Sequence, residues 1–390
     1  MIRYNVFPDA WPQPPLSKVV QFLDSQRKPV TASERIPGPY PYYGANGQQD
    51  SVNDYIFDEP LVLLAEDGGH FGIPGRKIAY SVSGKCWVNN HAHVLRPKKN
   101  IDLRYLTRVL ENYDVTPFIT GTTRAKLTKS AASRIPIPLP PLAEQRRIAA
   151  ILDLADALRA KRRAALAKLD TLLQATFLDM FGDPVSNPRG WERGTLADVC
   201  SEIYRYPTFY GLEYIDSGTP VARIGNILPN GILDPDLNSY VFIDQKVSNK
   251  YPRTILEFQD IVMAVRGDGS TASRIGLVNS INLVGANISP NLLRFKANRS
   301  IVDPLYLYHL MTSERGQLLL QAHVTRTAKK TITARDIKKI SIPIPLLNIQ
   351  CKFVKAVNSI HKMRQNQKKY SREADNLFHA LQQRAFKGEL

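Results

Sequence analysis

The sequence predicts an α/β chain of two mixed α/β domains in pseudo-twofold arrangement, joined by two long antiparallel helices that form a coiled coil. Three observations predict it. A segment from the middle of the chain recurs at its C-terminal end in one frame. Each copy opens on a proline-rich stretch and continues into about forty residues free of Pro and Gly. Each is preceded by short β-rich runs punctuated by Gly, Asn and Pro.

Residues 1–141 read as the first domain. Leu61 to Ala65 and Lys77 to Val82 have strand character, and Ile101 to Glu111 that of a helix. Ile135 to Pro141 alternates Ile with Pro, which holds the backbone extended and cannot continue a helix. Recognition by an SH3-type domain is the other use of such a stretch; its recurrence at both domain edges favours a rigid joint. Residues 142–185 hold the first spacer, a helix from Leu142 to Phe181 that spans ~60 Å at ~1.5 Å per residue. Ile148, Ile151, Ala155, Leu158, Ala165, Leu169 and Leu172 follow the three-and-four spacing of a coiled-coil seam, broken once, at Arg162.

Residues 186–346 read as the second domain, with strands at Asp260 to Val265 and Ile275 to Val278 and a helix at Pro304 to Ser313. Residues 347–390 form the second spacer, Leu347 to Phe386, whose seam is Phe353, Ala356, Ile360, Met363, Tyr370, Ala374 and Leu377, broken at Gln367. If the helices pair antiparallel, Arg162 meets Gln367 in a polar layer that fixes register; otherwise the Arg162 stem packs while its head reaches water.

The repeat gives these assignments their strength. A shift of 205 residues carries Ile135, Ile137, Pro138, Pro140, Leu142 and Gln145 onto Ile340, Ile342, Pro343, Pro345, Leu347 and Gln350, and Phe181 onto Phe386. Upstream the match loosens: Trp11 and Leu16 correspond to Trp191 and Leu196, while Arg96, Tyr105 and Leu106 correspond to Arg294, Tyr306 and Leu307. The constant part is expected to be framework and the diverged part a reader.

Lys and Arg exceed Asp and Glu by 52 − 35 = 17, which points to a polyanionic partner, nucleic acid ahead of an anionic membrane surface. No apolar run reaches the length that spans a bilayer, and Met1 to Trp11 lacks the apolar core of a secretory signal, so a cytoplasmic protein is expected. Cys86, Cys200 and Cys351 form no C-x-x-C pair and are expected to be buried small hydrophobes.

Catalytic motifs are missing. An adenine methyltransferase needs an Asn- or Asp-Pro-Pro-aromatic loop for the flipped base, and neither Pro14-Pro15 nor Pro140-Pro141 provides one. The phosphate-cradling G-x-x-x-x-G-K-S/T is absent, and Gly267-Asp268-Gly269-Ser270 is only a turn. His91 and His93 could begin a metal site, but ligand partners are not evident at local spacing. Asp58-Glu59, Glu66-Asp67, Asp234 and Asp236 lack the following E-x-K of a nuclease and read as turn and surface acids. The chain therefore reads as a binder, with no metal site and no cofactor of its own.

Two repeat-equivalent basic strips fit phosphate contact. Gly121 to Arg134 carries Arg124, Lys126, Lys129 and Arg134 with no acid; Arg326 to Lys339 carries Arg326, Lys329, Lys330, Arg335, Lys338 and Lys339 against Asp336. Base edges are read by Arg, Asn, Gln and aromatic groups. Candidates in the first half are Tyr42, Tyr43, Asn46, Gln48 and Arg76; those in the second are Tyr204, Arg205, Tyr206, Thr208, Tyr210, Arg223, Asn226, Arg266 and Arg274. For each aromatic, a place in the core is the competing use.

The Trp11 start, Pro41-Tyr42-Tyr43-Gly44-Ala45-Asn46-Gly47, the doubled Ile-Pro-Ile-Pro-Leu, Leu142-Ala143-Glu144-Gln145 and the Phe386-Lys387-Gly388-Glu389-Leu390 ending resemble the specificity subunit of type I restriction-modification systems. The resemblance runs over essentially the whole chain. It implies two target-recognition domains, each reading half of a bipartite double-stranded DNA site. It further implies spacer helices that dock two modification subunits, restriction subunits that join them, and S-adenosylmethionine, ATP and Mg held by those partners. The readers would then sit about one DNA turn apart, ~34 Å. Leu346-Leu347-Asn348-Ile349 departs from Pro141-Leu142-Ala143-Glu144, which suggests a looser second joint. A stand-alone nucleic-acid binder, for RNA as readily as DNA, is the rival reading, distinguished by specific binding without a methyltransferase partner. A fused methylase or nuclease would act on DNA alone.

Overall fold

The structure, a computed structural model, describes residues 7–73, 75–121, 125–207, 213–265, 274–322 and 333–390. The chain divides into two compact units: one is the chain up to Ala164 together with Gln367–Leu390, the other Ala165–Asn366. Both divisions fall inside the long helices expected as separate spacers. The helix ends belong to the domain cores: Phe378, Ala385 and Phe386 lie in the core of the first unit, and Phe177, Phe181, Phe353 and Val357 in that of the second.

In the first unit α1 (Leu16–Val19) and β1 (Val20–Phe22) precede β2 (Pro37–Gly44), β3 (Gly47–Val52), β4 (Phe57–Asp58), β5 (Leu61–Ala65), β6 (Ala79–Val82), β7 (Lys85–Val88) and β8 (Ala92–Pro97). Then come α2 (Leu103–Leu110), α3 (Lys129–Ser133) and the start of α4 (Leu142–Phe181). One sheet, antiparallel throughout, has the order β1-β8-β5-β6; the other, β3-β2-β7-β4, is mixed, with β2 and β7 parallel. All five β5 residues are buried, as an unbroken apolar strand requires. Val62 and Leu64 join the core that holds Tyr105 and Leu106 of α2, while Leu61 and Leu63 join the one that holds Phe57 and Val88.

The second unit contains β9 (Arg193–Thr195), α5 (Leu196–Val199), β10 (Cys200–Arg205), β11 (Thr219–Ala222), β12 (Val241–Ile243), α6 (Gln245–Asn249), β13 (Ile261–Ala264), β14 (Ile275–Leu277), β15 (Asn287–Ile288) and β16 (Leu292–Ala297). It continues through α7 (Pro304–Thr312), α8 (Glu314–Gln321), α9 (Ala334–Lys338) and β17 (Ser341–Pro343) into α10 (Leu347–Phe386). Its main sheet, β10-β16-β13-β14, repeats the order of the first. The smaller sheet repeats as well: in β12-β11-β15, β11 runs antiparallel to β12 and parallel to β15, as β2 does to β3 and β7, and the first unit adds β4 beside β7.

Recurring residues make recurring bonds. Gln145, almost fully buried, accepts from the Asp102 amide (2.8 Å) and donates to Asn100 O (3.2 Å) and Pro140 O (2.8 Å). Gln350 does the same with Asp303, Ile301 and Pro345 (2.7, 3.2 and 2.7 Å). The hydroxyls of Tyr105 and Tyr306 donate to Pro138 O and Pro343 O. Each Gln thus pins the turn before a helix to the proline joint, so the second joint is held as firmly as the first. The Lys98 amide donates to Val19 O and the Asn298 amide to Val199 O. This makes Lys296 the equivalent of Arg96, and corrects the expected match with Arg294, a residue whose guanidinium is buried against Asp260 instead.

Within the first unit α4 and the end of the chain run antiparallel. Arg147 donates to Leu390 O (2.7 Å), Arg159 to Asp375 (2.6 Å) and Arg162 to Gln367 Oε1 (3.3 Å), partner numbers falling as the first rise. The expected Arg162–Gln367 contact is present. The seam itself is turned by one residue at alternate positions. Ile148, Ala155, Arg162, Leu169, Phe353, Ile360, Gln367 and Ala374 face inward or lie half-buried, but Leu158, Leu172, Met363, Tyr370 and Leu377 are exposed. Leu152, Arg159, Leu173, Val357 and Phe378 take the inward places; Ile151 and Ala356 are half-buried at the flank. The cause is visible at Arg159, whose guanidinium lies 4.3 Å from the Phe378 ring centre and pairs with Asp375. A flat cation stacked on an aromatic face and tied to a carboxylate fills that layer, which turns Leu158 outward. Cys86 and Cys200 are buried as expected; Cys351, on the outer side of α10, is exposed.

Candidate nucleic-acid interface

In the first unit the β2–β3 hairpin turns at Ala45-Asn46, closed by Gly44 opposite Gly47, whose φ of 113° suits a residue without Cβ. Asn46 and Gln48 are exposed at the tip. Asn46 donates to Gly68 O (2.9 Å), and Gln48 to Asp50 O and Ser51 Oγ (both 3.1 Å). Tyr43 is half-buried beside Tyr80, at 5.9 Å between ring centres. Tyr42 is 1% exposed, its ring beneath Arg35 and its hydroxyl bonded to Val30; it supports the hairpin from within.

The described residues of the basic strip form a strap beside this tip. Thr120 and Lys126 exchange backbone bonds of 2.9 Å, and Lys126 bridges to Asp67, one residue from the Gly68 carbonyl that holds Asn46. Lys129 is exposed with its ammonium 5.7 Å from the Phe22 ring centre, and Arg76 is exposed. Arg124 lies outside the described residues.

Under the strap lies a polar cluster that the sequence does not announce. His93, fully buried, contacts Asp24 Oδ2 through Nδ1 and Leu127 O through Nε2, each at 2.7 Å. Glu66 pairs with Arg27 (2.7 Å) and Lys126 (3.1 Å). Burial works to raise the Asp24 carboxyl, but His93, the Val94 amide and Arg27 outweigh it and hold it below the usual carboxylate range. For Glu66, burial is likewise outweighed, by Arg27, His93 and Lys126. Asp24, Glu66 and His93 place three ligand atoms within 4.8 Å of one another. Arg27 and Lys126 already supply the positive charge there and both imidazole nitrogens are spent, so the set works as an ion-pair clasp. These acids come from sequence positions 69 and 27 residues before His93, which is why local spacing did not reveal them.

In the second unit Tyr204 is half-buried, with the Arg253 guanidinium 4.0 Å from its ring centre; Arg253 also pairs with Glu202. Nothing in the sequence joins Arg253 to residues 49 and 51 positions before it, and Arg253 was not among the candidates. Arg205 donates to Pro290 O (2.8 Å) and Tyr206 is buried against Tyr251. Arg223 is exposed and Arg274 half-buried. Asn226 is buried, accepting from the Arg223 amide and donating to Ser239, so it shapes the loop that presents Arg223. Thr208, Tyr210, Arg266, Arg326, Lys329 and Lys330 lie outside the described residues. Among the described residues no helix is long and apolar enough to cross a membrane.

The family model for the type I restriction modification DNA specificity domain matches residues 8–168 and again 188–372. A putative type I restriction enzyme specificity subunit of Haemophilus influenzae is 29% identical over 378 residues, covering 91% of this chain and 92% of the relative. The MjaVIII specificity subunit of Methanocaldococcus jannaschii is 24% identical, covering 91% and 87%. Among solved structures, one described under complex assembly and conformational transition of the type I restriction-modification system has a TM-score of 0.61 at 16% identity, covering 99% and 100%. The S subunit from M. genitalium has a TM-score of 0.58 at 12% identity, covering 99% of both chains. The last two likenesses speak to the fold.

Proposed function

The chain belongs to the type I restriction-modification DNA specificity family, and from that premise we propose that it is the DNA-recognition subunit of such a complex, each half reading one part of a bipartite double-stranded site. The observation that carries this is the duplication. One main sheet, one Gln-pinned joint and one basic strip occur twice, while the parts that differ between the halves hold the candidate readers.

In the first half the reading groups are Asn46, Gln48 and Tyr43, with Arg76, Arg124, Lys126 and Lys129 toward phosphates; Tyr42 is a support. In the second they are Tyr204, Arg205, Thr208, Tyr210, Arg223, Arg266 and Arg274, with Arg326, Lys329 and Lys330 toward phosphates and Tyr206 and Asn226 as supports. The chain contributes recognition, not catalysis. S-adenosylmethionine, ATP and Mg belong to modification and restriction subunits, and the outward apolar residues Leu158, Leu172, Met363 and Leu377 are where the modification subunits dock. Helix length sets the number of unspecified base pairs between the half-sites.

Mapping methylated adenines in a host expressing the chain with its modification subunits tests this reading. A bipartite motif is expected. Substitutions within Tyr204 to Tyr210 should change one half of it, and one heptad inserted after Ala160 should change its gap. An unchanged gap removes the role given to the helices, and a continuous motif removes the two-reader scheme.

A further inference from the structure

Gln49, exposed on β3 beside the hairpin tip, is placed by three features that converge on it. The register of β2 and β3 steps from Tyr42 opposite Asp50 to Tyr43 opposite Gln48, so Gln49 is the extra residue of a β-bulge, a device that re-aims a side chain. Its amide lies against Gly44, where a Cβ would collide with Gln49 Nε2. Asn89, 3% exposed, donates from Nδ2 to Gln49 Oε1 (3.0 Å). The smaller sheet of the second unit repeats without these features. The Ser289 amide donates to Ala222 O as the Asn89 amide donates to Tyr43 O, and the flanking strands pair alike, so Ser289 takes the place of Asn89. Its buried hydroxyl has no hydrogen-bond partner among the described residues, and β11 and β12 pair without a bulge. An amide at this place is therefore not required to close the sheet.

Backbone groups fix which way the amides of the tip are turned. The His91 N–H can only donate, so the Asn89 atom it meets (2.8 Å) is the oxygen, and the atom reaching Gln49 is the nitrogen. That nitrogen needs an acceptor, so Gln49 meets it with Oε1. Its Nε2 bonds to no described residue and keeps both N–H groups, while Oε1 keeps a second lone pair. Asn46 and Gln48 are turned the other way: their nitrogens donate to Gly68 O and to Asp50 O, and their oxygens are left to accept. Of the three amides, Gln49 is the one with both N–H groups uncommitted. A donor nitrogen beside an accepting oxygen matches the N7 acceptor and N6 amino donor that adenine shows in the major groove.

We propose that Gln49 is a specificity-determining residue of the first half: it reads an adenine through Nε2 to N7 and Oε1 to the N6 amino group, and Asn89 is the positioning residue that fixes its orientation. This rests on the reading that the half binds DNA.

Adenine-methylation mapping and competition binding, both on the complex assembled with its modification subunits, test it. Gln49→Ala should relax one A·T pair in the first half of the motif, lowering discrimination there about tenfold or more, and leave the second half and the salt dependence of binding as in the wild type. Gln49→Glu keeps an oxygen for Asn89 and exchanges the donor for an acceptor, so preference at that pair should move toward cytosine, whose N4 amino group donates. Asn89→Ser, the residue type of the second unit, should relax the same pair while the chain keeps a cooperative thermal transition. An unchanged motif with Gln49→Ala overturns the proposal, as does even weakening at all positions with a salt dependence shallower by about one phosphate. Relaxation at a G·C pair, or a Gln49→Glu complex that still prefers adenine, overturns the adenine assignment. If Asn89→Ser spares the pair that Gln49→Ala relaxes, the positioning role falls. A wild-type complex that recognises no bipartite site overturns the function instead.

Discussion

His309 on α7 illustrates how far a single buried group governs its unit. Its Nε2 is buried with no hydrogen-bond partner among the described residues, and its ring lies edge-on to Tyr308 and Phe353. Burial, helped by the nearby His361, pushes its pKa down to about 3. The unfolded chain binds a proton there below its ordinary value of 6.5 and the folded chain does not, so stability is lost as pH falls from about 6.5 toward 3. Urea unfolding of the second unit should lose roughly 2 kcal/mol between pH 7 and 5, and His309→Phe should remove most of that loss. A flat wild-type profile contradicts the neutral buried ring. Gln145 and Gln350 work oppositely, as buried groups whose amide nitrogen donates twice and whose amide oxygen accepts. Gln145→Ala should cost the first unit about 1–3 kcal/mol and Gln350→Ala the second, read as shifts in denaturant midpoint at unchanged slope.

The long helices test how packing chooses among apolar residues. Phe378 is in the first core, under Arg159, whereas its neighbour Leu377 is half exposed. Phe378→Ala should therefore destabilise the first unit by about 3–5 kcal/mol. Leu377→Ala should cost under about 1 kcal/mol, and should instead weaken capture of the modification subunit. A reversed ranking restores the seam that hydrophobicity alone predicts. The helix bounds and the strands at Leu61–Ala65 and Ile261–Ala264 were legible because chain-local signals set them: absent Pro and Gly, Pro-fixed starts, unbroken apolar runs. Half of the seam was not, because pattern reading scores Arg159 as polar and cannot see the Phe378 face and Asp375 carboxylate that bring it inward. The candidate interface shows the same limit. The hairpin tip at Asn46 was readable from Gly-flanked polar residues, but the burial of Tyr42 and Asn226, the Arg253–Tyr204 layer and the clasp all join residues remote in sequence.

For the whole molecule, the two units differ in connectivity. The second is one stretch of chain, Ala165–Asn366, with both of its helix portions covalently attached. The first is discontinuous: its body ends at Ala164 and its core is finished by residues from beyond Gln367. Phe386 meets Phe7 and Tyr105 at ring distances of 6.4 and 6.3 Å, and Gln382 is buried within reach of Asn112 and Arg108 O. A fragment of residues 165–366 should therefore fold alone with a cooperative thermal transition. A fragment of residues 7–164 should unfold at a markedly lower temperature, because an unfilled site for Phe378, Ala385 and Phe386 exposes apolar surface worth several kcal/mol. Adding a peptide of residues 367–390 should restore the transition in a saturable manner, since a ligand that binds only the folded form stabilises it by mass action. The same peptide with Phe378→Ala and Phe386→Ala should not. If the 7–164 fragment melts as high without the peptide as with it, the helix end is an attachment and not part of the core, and the division of the chain into these units fails.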